Sequence, residues 1–550
     1  MVSRTKIRLL LHIDSARGPD SLNFPFRFTV PLMAFSVANL SLSYLLAAVG
    51  FLASVSAFWV CVVRIYLLRR YYERQGVLFV RDCHAIIGAE LRVSELRQKN
   101  KSHDWLYTER CTDLVGTIRG FSIQLYGTSA ELCEKLIQRT GTHVDRKTPA
   151  LFSFGRLSPH AITFTPYSQY LFKERKASLT RSLNDMKRLY VVANRQAEEA
   201  LNLLGVADGT GRVINVRELL NHWTRETSGE FIWGKENVNR YVNVFDSNDK
   251  MKYLPFMTAL NQTFTDLRFY SGKFWNRVYS PLAVLPVTRE ARRLTYNIGV
   301  LRKEMDSMLA HPENGSVSES VQRTNAKLGI PLDMTRDDLV TATVAGLDTV
   351  KSTTMGSLWH ILQPDNSSWR EAILEDIRSF MADPSSMYTS LAGSEKLHAL
   401  ICETLRFEPP GSLINNCAVD DFDLSLDGRS YTIKAGTRIV PCIHALHQNE
   451  TSWKSELDRQ WEGLDKFDPA RFLPDSSVIV GSGCFMPFGK GPRRCPGQGV
   501  GLMMVKTFVA AFLKQNSKCS ISIPKGQTPD ITYFNILSKA TFEIHCAQET

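Results

Sequence analysis

Residues 485–499 read Phe-Met-Pro-Phe-Gly-Lys-Gly-Pro-Arg-Arg-Cys-Pro-Gly-Gln-Gly, and an apolar run follows at residues 500–513. Four glycines and three prolines surround one cysteine, Cys495. Glycine allows backbone angles that are closed to other residues, whereas proline stiffens a turn. Arg493, Arg494 and the N-terminus of the following helix favour a thiolate over a thiol. The stretch therefore predicts a rigid loop that presents one cysteine thiolate to a large, flat group.

The spacing of this loop resembles the haem-binding loop of the cytochrome P450 family, Phe-Gly-x-Gly-x-Arg-x-Cys-x-Gly. Every fixed position is filled, by Phe488, Gly489, Gly491, Arg493, Cys495 and Gly497. The resemblance implies that these residues border haem b and that Cys495 is the axial thiolate ligand of its iron. The alternatives are a buried structural cysteine and a zinc site. Zinc is disfavoured because the eleven cysteines contain no Cys-x-x-Cys pair.

Composition indicates a globular protein with a substantial core, since 44% of residues are hydrophobic and 22% are charged. The net charge is 66 − 55 = +11, which suits an anionic membrane, an acidic protein partner or nucleic acid. The chain has no basic-aromatic cluster and no zinc-finger spacing, so we expect no nucleic-acid binding. The scattered, odd-numbered cysteines are typical of a reducing compartment.

The N-terminal region carries a membrane-anchor signal. Residues 28–63 contain no charged side chain, and residues 40–63 are apolar enough and long enough to span a bilayer. A cleaved signal peptide is disfavoured because the apolar run is too long. We therefore predict an extension at 1–39, a transmembrane helix at 40–63 and a catalytic domain at 75–550. A basic stop follows the apolar run, formed by Arg64, Arg69, Arg70 and Arg74.

A long helix is predicted over residues 337–359, with Ala345-Gly-Leu-Asp-Thr349 at its centre. Thr349 is expected to bond the carbonyl of Ala345 and bend the helix. The pattern resembles the oxygen-binding groove of the cytochrome P450 family. The resemblance implies that Thr349 donates a proton or organises a water molecule, that Asp348 is the relay acid and that Gly346 makes room for oxygen. The alternative is an ordinary helix with incidental polar residues.

A second helix, at residues 394–407, carries Glu403 and Arg406 three positions apart, which places both on one face. A surface ion pair would explain them equally well. The resemblance instead implies a buried structural triad with Arg471 from the segment Phe-Asp-Pro-Ala-Arg-Phe at 467–472. Such a triad supports the core beside the cofactor and does not contact the substrate.

Other segments match the family less closely. Arg175 fits the arginine that contacts a haem propionate, but Leu171 stands where the family has tryptophan. Asn416 replaces another propionate arginine, which would leave more of that role to Arg493. Leu413 and Ile414 are expected near the substrate cavity. From the residues themselves we expect two short strands about a glycine turn at 431–440 and an exposed loop at 311–327.

The resemblance implies a mainly α-helical domain with a small β part, and a monooxygenase that uses dioxygen to oxidise a lipophilic small molecule such as a terpenoid or another secondary metabolite. It also implies electrons from NADPH through a membrane-bound reductase, cytochrome b5 as an optional donor, and a single-pass location in the endoplasmic reticulum membrane with a cytosolic catalytic domain. Two alternatives remain open: a haem-thiolate isomerase or dehydratase that needs no reductase, and a non-catalytic haem protein.

Overall fold

The computed structural model describes residues 42–80, 88–89, 114–119, 122–146, 154–203, 213–273, 276, 285–381, 386–426, 428–457, 463–474, 478, 483–515, 519–523 and 541–546. The chain divides into two units, residues 1–57 and 58–550. In the first unit, the described residues belong to α1 (Leu42–Phe58). The predicted extension at 1–39 lies outside the described residues. Within the described ranges, no helix is both long and apolar enough to cross a membrane.

Helices make up most of the described part of the second unit, as predicted. The unit begins with a π-helical stretch (Trp59–Val63) and α2 (Arg64–Arg74). The later helices are α3 (Ala130–Gln138), α4 (Phe172–Ser182), α5 (Met186–Leu203), α6 (Val216–Trp233), α7 (Lys235–Val238), α8 (Phe256–Ser271), α9 (Arg289–Ala310), α10 (Val317–Lys327), α11 (Leu332–Ile361), α12 (Ser367–Met381), α13 (Met387–Gly393), α14 (Glu395–Phe407), α15 (Ile443–His447), α16 (Glu450–Leu457) and α17 (Gln498–Gln515).

Among the described residues, the β part comprises one six-stranded sheet and three smaller sheets. Their strands are β1 (Leu78–Phe79), β2 (Leu114–Arg119), β3 (Ser122–Gly127), β4 (Val144–Asp145), β5 (Val213–Asn215), β6 (Tyr241–Phe245), β7 (Met251–Pro255), β8 (Asn416–Ala418), β9 (Phe422–Leu426), β10 (Arg429–Ile433), β11 (Arg438–Pro441), β12 (Cys519–Ser522) and β13 (Glu543–Cys546). The large sheet has the order β1-β2-β3-β11-β8-β4, and the small sheets are β10-β9, β12-β13-β5 and β6-β7.

The two strands expected at 431–440 exist, but they do not pair with each other. Strand β10 pairs antiparallel with β9, whereas β11 pairs parallel with β3 and antiparallel with β8. Gly428, with φ +75°, makes the turn between β9 and β10. Gly436, with φ +82°, lies between strands of different sheets. The glycine at 436 therefore redirects the chain from one sheet to another.

Helix α11 is the central helix of the core. It buries residues around most of its circumference, which is typical of a helix packed on all sides. Helix α6 packs along it, and the indole of Trp233 donates a hydrogen bond to Thr343 of α11 at 2.9 Å. Helix α17 joins the same core through Phe508. The centroid of its ring lies 4.5 Å from the ring centroid of Trp223 in α6. The helices that carry the two predicted functional motifs thus belong to one core.

The expected exposed loop at 311–327 is wrong for its second half, which forms α10. Ser316 caps this helix by accepting a hydrogen bond from the backbone of Glu319 at 3.1 Å. The carboxylate of Glu319 reaches back to the amide of Gly315 at 2.9 Å. This reciprocal arrangement is close to a capping box. Its Ser-x-x-Glu spacing outweighs the polar composition that suggested a loop.

Replacing Ser316 with alanine should loosen the first turn of α10. Loss of an N-cap costs about 1 kcal/mol, so we expect the amides of α10 to exchange hydrogen about fivefold faster. Hydrogen–deuterium exchange of a peptide covering α10 measures this change. Gln322→Ala, in the middle of the same helix, is the control and should leave the exchange rate nearly unchanged. Equal exchange in both variants would contradict the capping role.

Candidate functional site

The cysteine loop is a closed turn, as predicted. The amide of Cys495 donates to the carbonyl of Phe488, and the amide of Gly489 donates to the carbonyl of Met486, each at 2.9 Å. Gly489 and Gly491 both have φ +68°, in the region that favours glycine. A Cβ atom added at Gly491 would also lie 2.5 Å from Ile137. Both glycines are therefore required by the shape of the loop.

One cavity of about 560 Å³ brings the cysteine loop and the centre of α11 together. Cys495 contributes to its wall, and so do Ala345, Gly346 and Thr349 of α11. The predicted loop residues Phe488, Gly489, Arg493 and Gly497 also line it. Much of the remaining wall is apolar, including Ile162, Phe231, Leu413, Ile414, Ile443 and Val350. The two motifs predicted to act together thus face the same space.

Opposing electrostatic effects act on the pKa of the Cys495 thiol. Burial raises the pKa of its thiol, whereas the backbone N–H of Gly497 and the charges of Lys176 and Arg494 lower it. Arg493 was expected to help stabilise the thiolate, but its guanidinium is bound elsewhere, at Asp145. Although the surrounding protein desolvates the sulfur in part, Cys495 is exposed where it borders the cavity. An accessible thiol near two cations is suited to binding a metal ion, since metal coordination favours the thiolate.

Cationic side chains gather in another part of the cavity wall. Arg493 donates to Asp145 at 2.7 Å and to the carbonyl of Thr165 at 2.6 Å. Arg146 and Lys176 line the same cavity. Burial and the nearby charge of Arg493 lower the pKa of Arg146 to about 10. Among the described residues, the buried Nε atoms of Arg146 and Arg493 have no hydrogen-bond partner. This arrangement suits a bound anion.

The centre of α11 has the predicted local bond. The hydroxyl of Thr349 donates to the carbonyl of Ala345 at 2.6 Å. Gly346 has a role that the sequence did not reveal, because a Cβ atom there would lie 2.9 Å from the hydroxyl oxygen of Ser228. Ser228 belongs to α6, so Gly346 permits the close approach of two helices as well as lining the cavity.

Asp348 does not line the cavity wall that includes Thr349. Its carboxylate accepts hydrogen bonds from Arg268 of α8 at 2.7 Å and from Lys351 at 2.5 Å. Lys351 also donates to Asn221 of α6 at 2.8 Å. The Asp348 side chain is 16% exposed. The acid is therefore held by two cations close to the surface, while its neighbour Thr349 faces the cavity.

The structure brings Glu403, Arg406 and Arg471 together. Two hydrogen bonds of 2.7 Å join Arg406 to Glu403, and both side chains are fully buried. The Nε of Arg471 lies 3.7 Å from the same carboxylate. Glu403 also accepts the backbone N–H of Asp468 at 2.8 Å. The alternative of a surface ion pair is wrong, since burial and shared partners make this a structural site.

Comparison with known proteins identifies the family. The family model described as Cytochrome P450 matches residues 83–544. The chain belongs to the cytochrome P450 family. Cytochrome P450 83A1 of Arabidopsis thaliana is 23% identical over 476 residues, which are 82% of this chain and 88% of that protein.

Two further relatives are named for their reactions. Indolin-2-one monooxygenase of Zea mays is 23% identical over 403 residues, which cover 68% of this chain and 71% of the relative. Cyclooctat-9-en-7-ol 5-monooxygenase of Streptomyces melanosporofaciens is 26% identical over 272 residues, which cover 47% of this chain and 56% of the relative. Membership of the family and these relatives support a haem-thiolate monooxygenase that acts on a small molecule with dioxygen.

The residues of this cytochrome P450 fit the haem that its family implies. Cys495, an exposed cysteine, and the oxygen-groove segment of α11 line one cavity, to which the buried Cys133 also contributes. The unpartnered Nε atoms of Arg146 and Arg493 suit the two carboxylates that haem carries. Asn416 lines the cavity as well and can donate hydrogen bonds without adding charge. Sequence reasoning missed Arg146 and did not assign a role to Lys176.

The proposed propionate contact of Arg175 needs correction. Its guanidinium is 1% exposed and pairs with Asp338 of α11 at 2.7 Å. It also donates to the carbonyl of His160. The next residue, Lys176, lines the cavity instead, as does Phe172 four positions before it. Consecutive helical residues point about 100° apart. Arg175 therefore points away from the cavity, whereas the side chain one position later faces it.

Substitutions at these adjacent positions should give opposite results. Arg175→Met leaves a buried carboxylate without its cation, which costs about 3–5 kcal/mol. We expect a lower urea midpoint but little change in haem affinity of the folded protein. Lys176→Met should keep the urea midpoint and release haem to apomyoglobin about tenfold faster, as expected for a lost charged hydrogen bond.

Each of these variants is the control for the other. Rapid haem release from Arg175→Met, with an unchanged urea midpoint, would restore the original assignment and contradict the role of Lys176.

Proposed function

We propose that this cytochrome P450 oxidises a lipophilic small molecule and that Cys495 would hold the iron of its haem through a thiolate. The observation that carries the proposal is the shared cavity, to which Cys495, Thr349 and many apolar side chains contribute. Such a site combines an apolar wall with a few placed polar groups, as small-molecule sites commonly do. When bound, haem supplies the redox-active iron that activates dioxygen.

The propionates of the cofactor are held by Arg146, Lys176 and Arg493 in this proposal. Arg493 is oriented by Asp145, which accepts one of its N–H groups and leaves its Nε free for an anion. Lys176 is fixed by its bond to the carbonyl of Pro492 at 2.6 Å. These three cations would also replace the water that the propionate carboxylates need in order to stay ionised. Asn416 adds a neutral donor.

Proton delivery is assigned to Thr349 and Asp348. The Thr349 hydroxyl faces the cavity while it bonds the carbonyl of Ala345, so a small rotation lets it bond an oxygen or water there. Asp348 is partly exposed and can exchange protons with solvent. Because Arg268 and Lys351 hold its carboxylate, it must loosen one ion pair to transfer a proton. Gly346 and Ala345 leave space beside Thr349.

The substrate class is proposed from the wall of the cavity and the relatives. The apolar wall favours a hydrocarbon-rich compound, such as a terpenoid or another secondary metabolite. The names of two relatives give indolin-2-one and cyclooctat-9-en-7-ol as substrates. Both names denote small ring compounds, which supports the class without fixing the compound.

Location and electron supply complete the proposal. We assign residues 1–39 to an extension, 40–63 to a transmembrane anchor in the endoplasmic reticulum and 75–550 to the cytosolic catalytic domain. Support comes from the uncharged sequence at 28–63 and from exposed apolar side chains of α1 such as Phe51 and Leu52. The basic chain suits a membrane-bound reductase that passes electrons from NADPH, with cytochrome b5 as a second donor.

Replacing Cys495 with serine tests the ligand assignment. An alcohol does not supply the thiolate that gives the reduced, CO-bound haem its characteristic red shift. We expect the variant to lack this shift, and difference spectroscopy of reduced samples with CO measures it. Cys519→Ser, which removes a cysteine outside the cavity wall, should retain the shift. A retained shift in Cys495→Ser would refute the assignment.

Replacing Thr349 with alanine tests proton delivery. With a reductase present, we expect haem to remain while NADPH oxidation becomes uncoupled from product and releases peroxide, with coupling reduced about tenfold or more. Thr354→Ala is the matched control, because Thr354 makes the same backbone bond in α11 but does not line the cavity.

If wild-type protein forms product without NADPH, the isomerase alternative is correct.

A further inference from the structure

A buried histidine connects the helix of the structural triad with the cysteine loop. His447 is 0% exposed and ends α15. Its Nε2 accepts a hydrogen bond from the backbone N–H of Met486 at 3.2 Å. Met486 follows Phe485, whose ring packs against the imidazole with 5.3 Å between centroids. The side chain therefore contacts the chain where it enters the loop.

The hydrogen bond fixes the protonation of this imidazole. Since Nε2 accepts, a neutral ring carries its proton on Nδ1. The backbone of Leu405 and Arg406 acts to raise the pKa of the ring, and among the described residues Nδ1 has no hydrogen-bond partner of ordinary geometry. Burial and the charges of Arg406 and His444 lower the pKa of His447 to about 3. The ring is thus a neutral acceptor at physiological pH.

A short series of hydrogen bonds leads from His447 to the cysteine. Met486 donates its N–H to His447 and accepts from the amide of Gly489 through its carbonyl. Phe488, between them, accepts the amide of Cys495. His447 itself is held by its own carbonyl, which accepts the indole N–H of Trp453 at 2.9 Å. The histidine is therefore a fixed acceptor at one end of the loop.

We propose that His447 is a positioning residue, which holds the Met486 amide so that the loop presents the Cys495 thiolate in one fixed geometry. The inference rests on the proposed ligand role of Cys495. Without the acceptor, the Met486 N–H would be buried and unpaired, and the loop would gain other arrangements. In those arrangements the Cys495 thiolate would more easily take up a proton and would hold the iron less well. His447 contacts neither substrate nor cofactor and acts only through the backbone.

Three variants test this inference through the CO-difference spectrum of the full protein. His447→Leu removes the acceptor, and His447→Asn retains one in its amide oxygen. In mild urea, we expect the thiolate-type band of His447→Leu to convert to the thiol-type band about tenfold faster than in wild type, the factor for one unpaired buried amide. His447→Asn should convert within about threefold of the wild-type rate if an accepting oxygen suffices.

The third variant, His398→Leu, is the control. It removes a partly buried imidazole from α14 that faces Cys402 instead of the loop, and should convert at the wild-type rate. A wild-type rate in His447→Leu, or equal rates in His447→Leu and His447→Asn, would overturn the proposal. If His447→Leu does not fold, His447→Asn decides alone, since a wild-type rate supports the role and rapid loss contradicts it. A wild-type protein without the thiolate band would instead refute the ligand role of Cys495.

Discussion

The hydrogen bond from the Cys495 amide to the Phe488 carbonyl is the constraint on which the site depends. A thiol that the protein desolvates in part resists ionisation, and this desolvation raises the pKa of Cys495. Within the closed loop the N–H of Gly497 acts in the opposite direction and lowers that pKa. Closure in turn requires the left-handed backbone at Gly489 and Gly491. Backbone shape, and not charge alone, therefore prepares the thiolate.

The loop owes its rigidity to the core beneath it. The ring of Phe485 lies 4.6 Å from that of Phe472, which follows Arg471 of the triad. The buried pair of Glu403 and Arg406 fixes this segment, and breaking such a pair leaves a charge that the core cannot solvate. The pair thus affects the cofactor site without touching it. The pair acts by fixing the positions of the neighbouring segments.

The sequence was most informative where spacing along the chain sets the geometry. The loop, the bond of Thr349 and the pair of Glu403 and Arg406 are all local, and the structure contains each of them. Contacts between distant segments could not be predicted in the same way. The anion site depends on Arg146, which follows β4 and approaches Arg493 only because the large sheet positions β4. Arg175 and Lys176 are adjacent in the sequence, and residue spacing alone could not show which of them faces the cavity.

Two adjacent residues of α11, Asp348 and Thr349, have different surroundings. Thr349 faces the cavity, and Asp348 faces Arg268 of α8 and Lys351 of its own helix. The hold on Asp348 comes from Arg268 of α8 and from Lys351, which is fixed in turn by Asn221 of α6. Any movement of α8 relative to α11 therefore changes the ion pair that restrains the acid. Because Gly346 lets α6 approach α11 closely, the packing that forms the core also places Asn221 where it holds Lys351 beside Asp348.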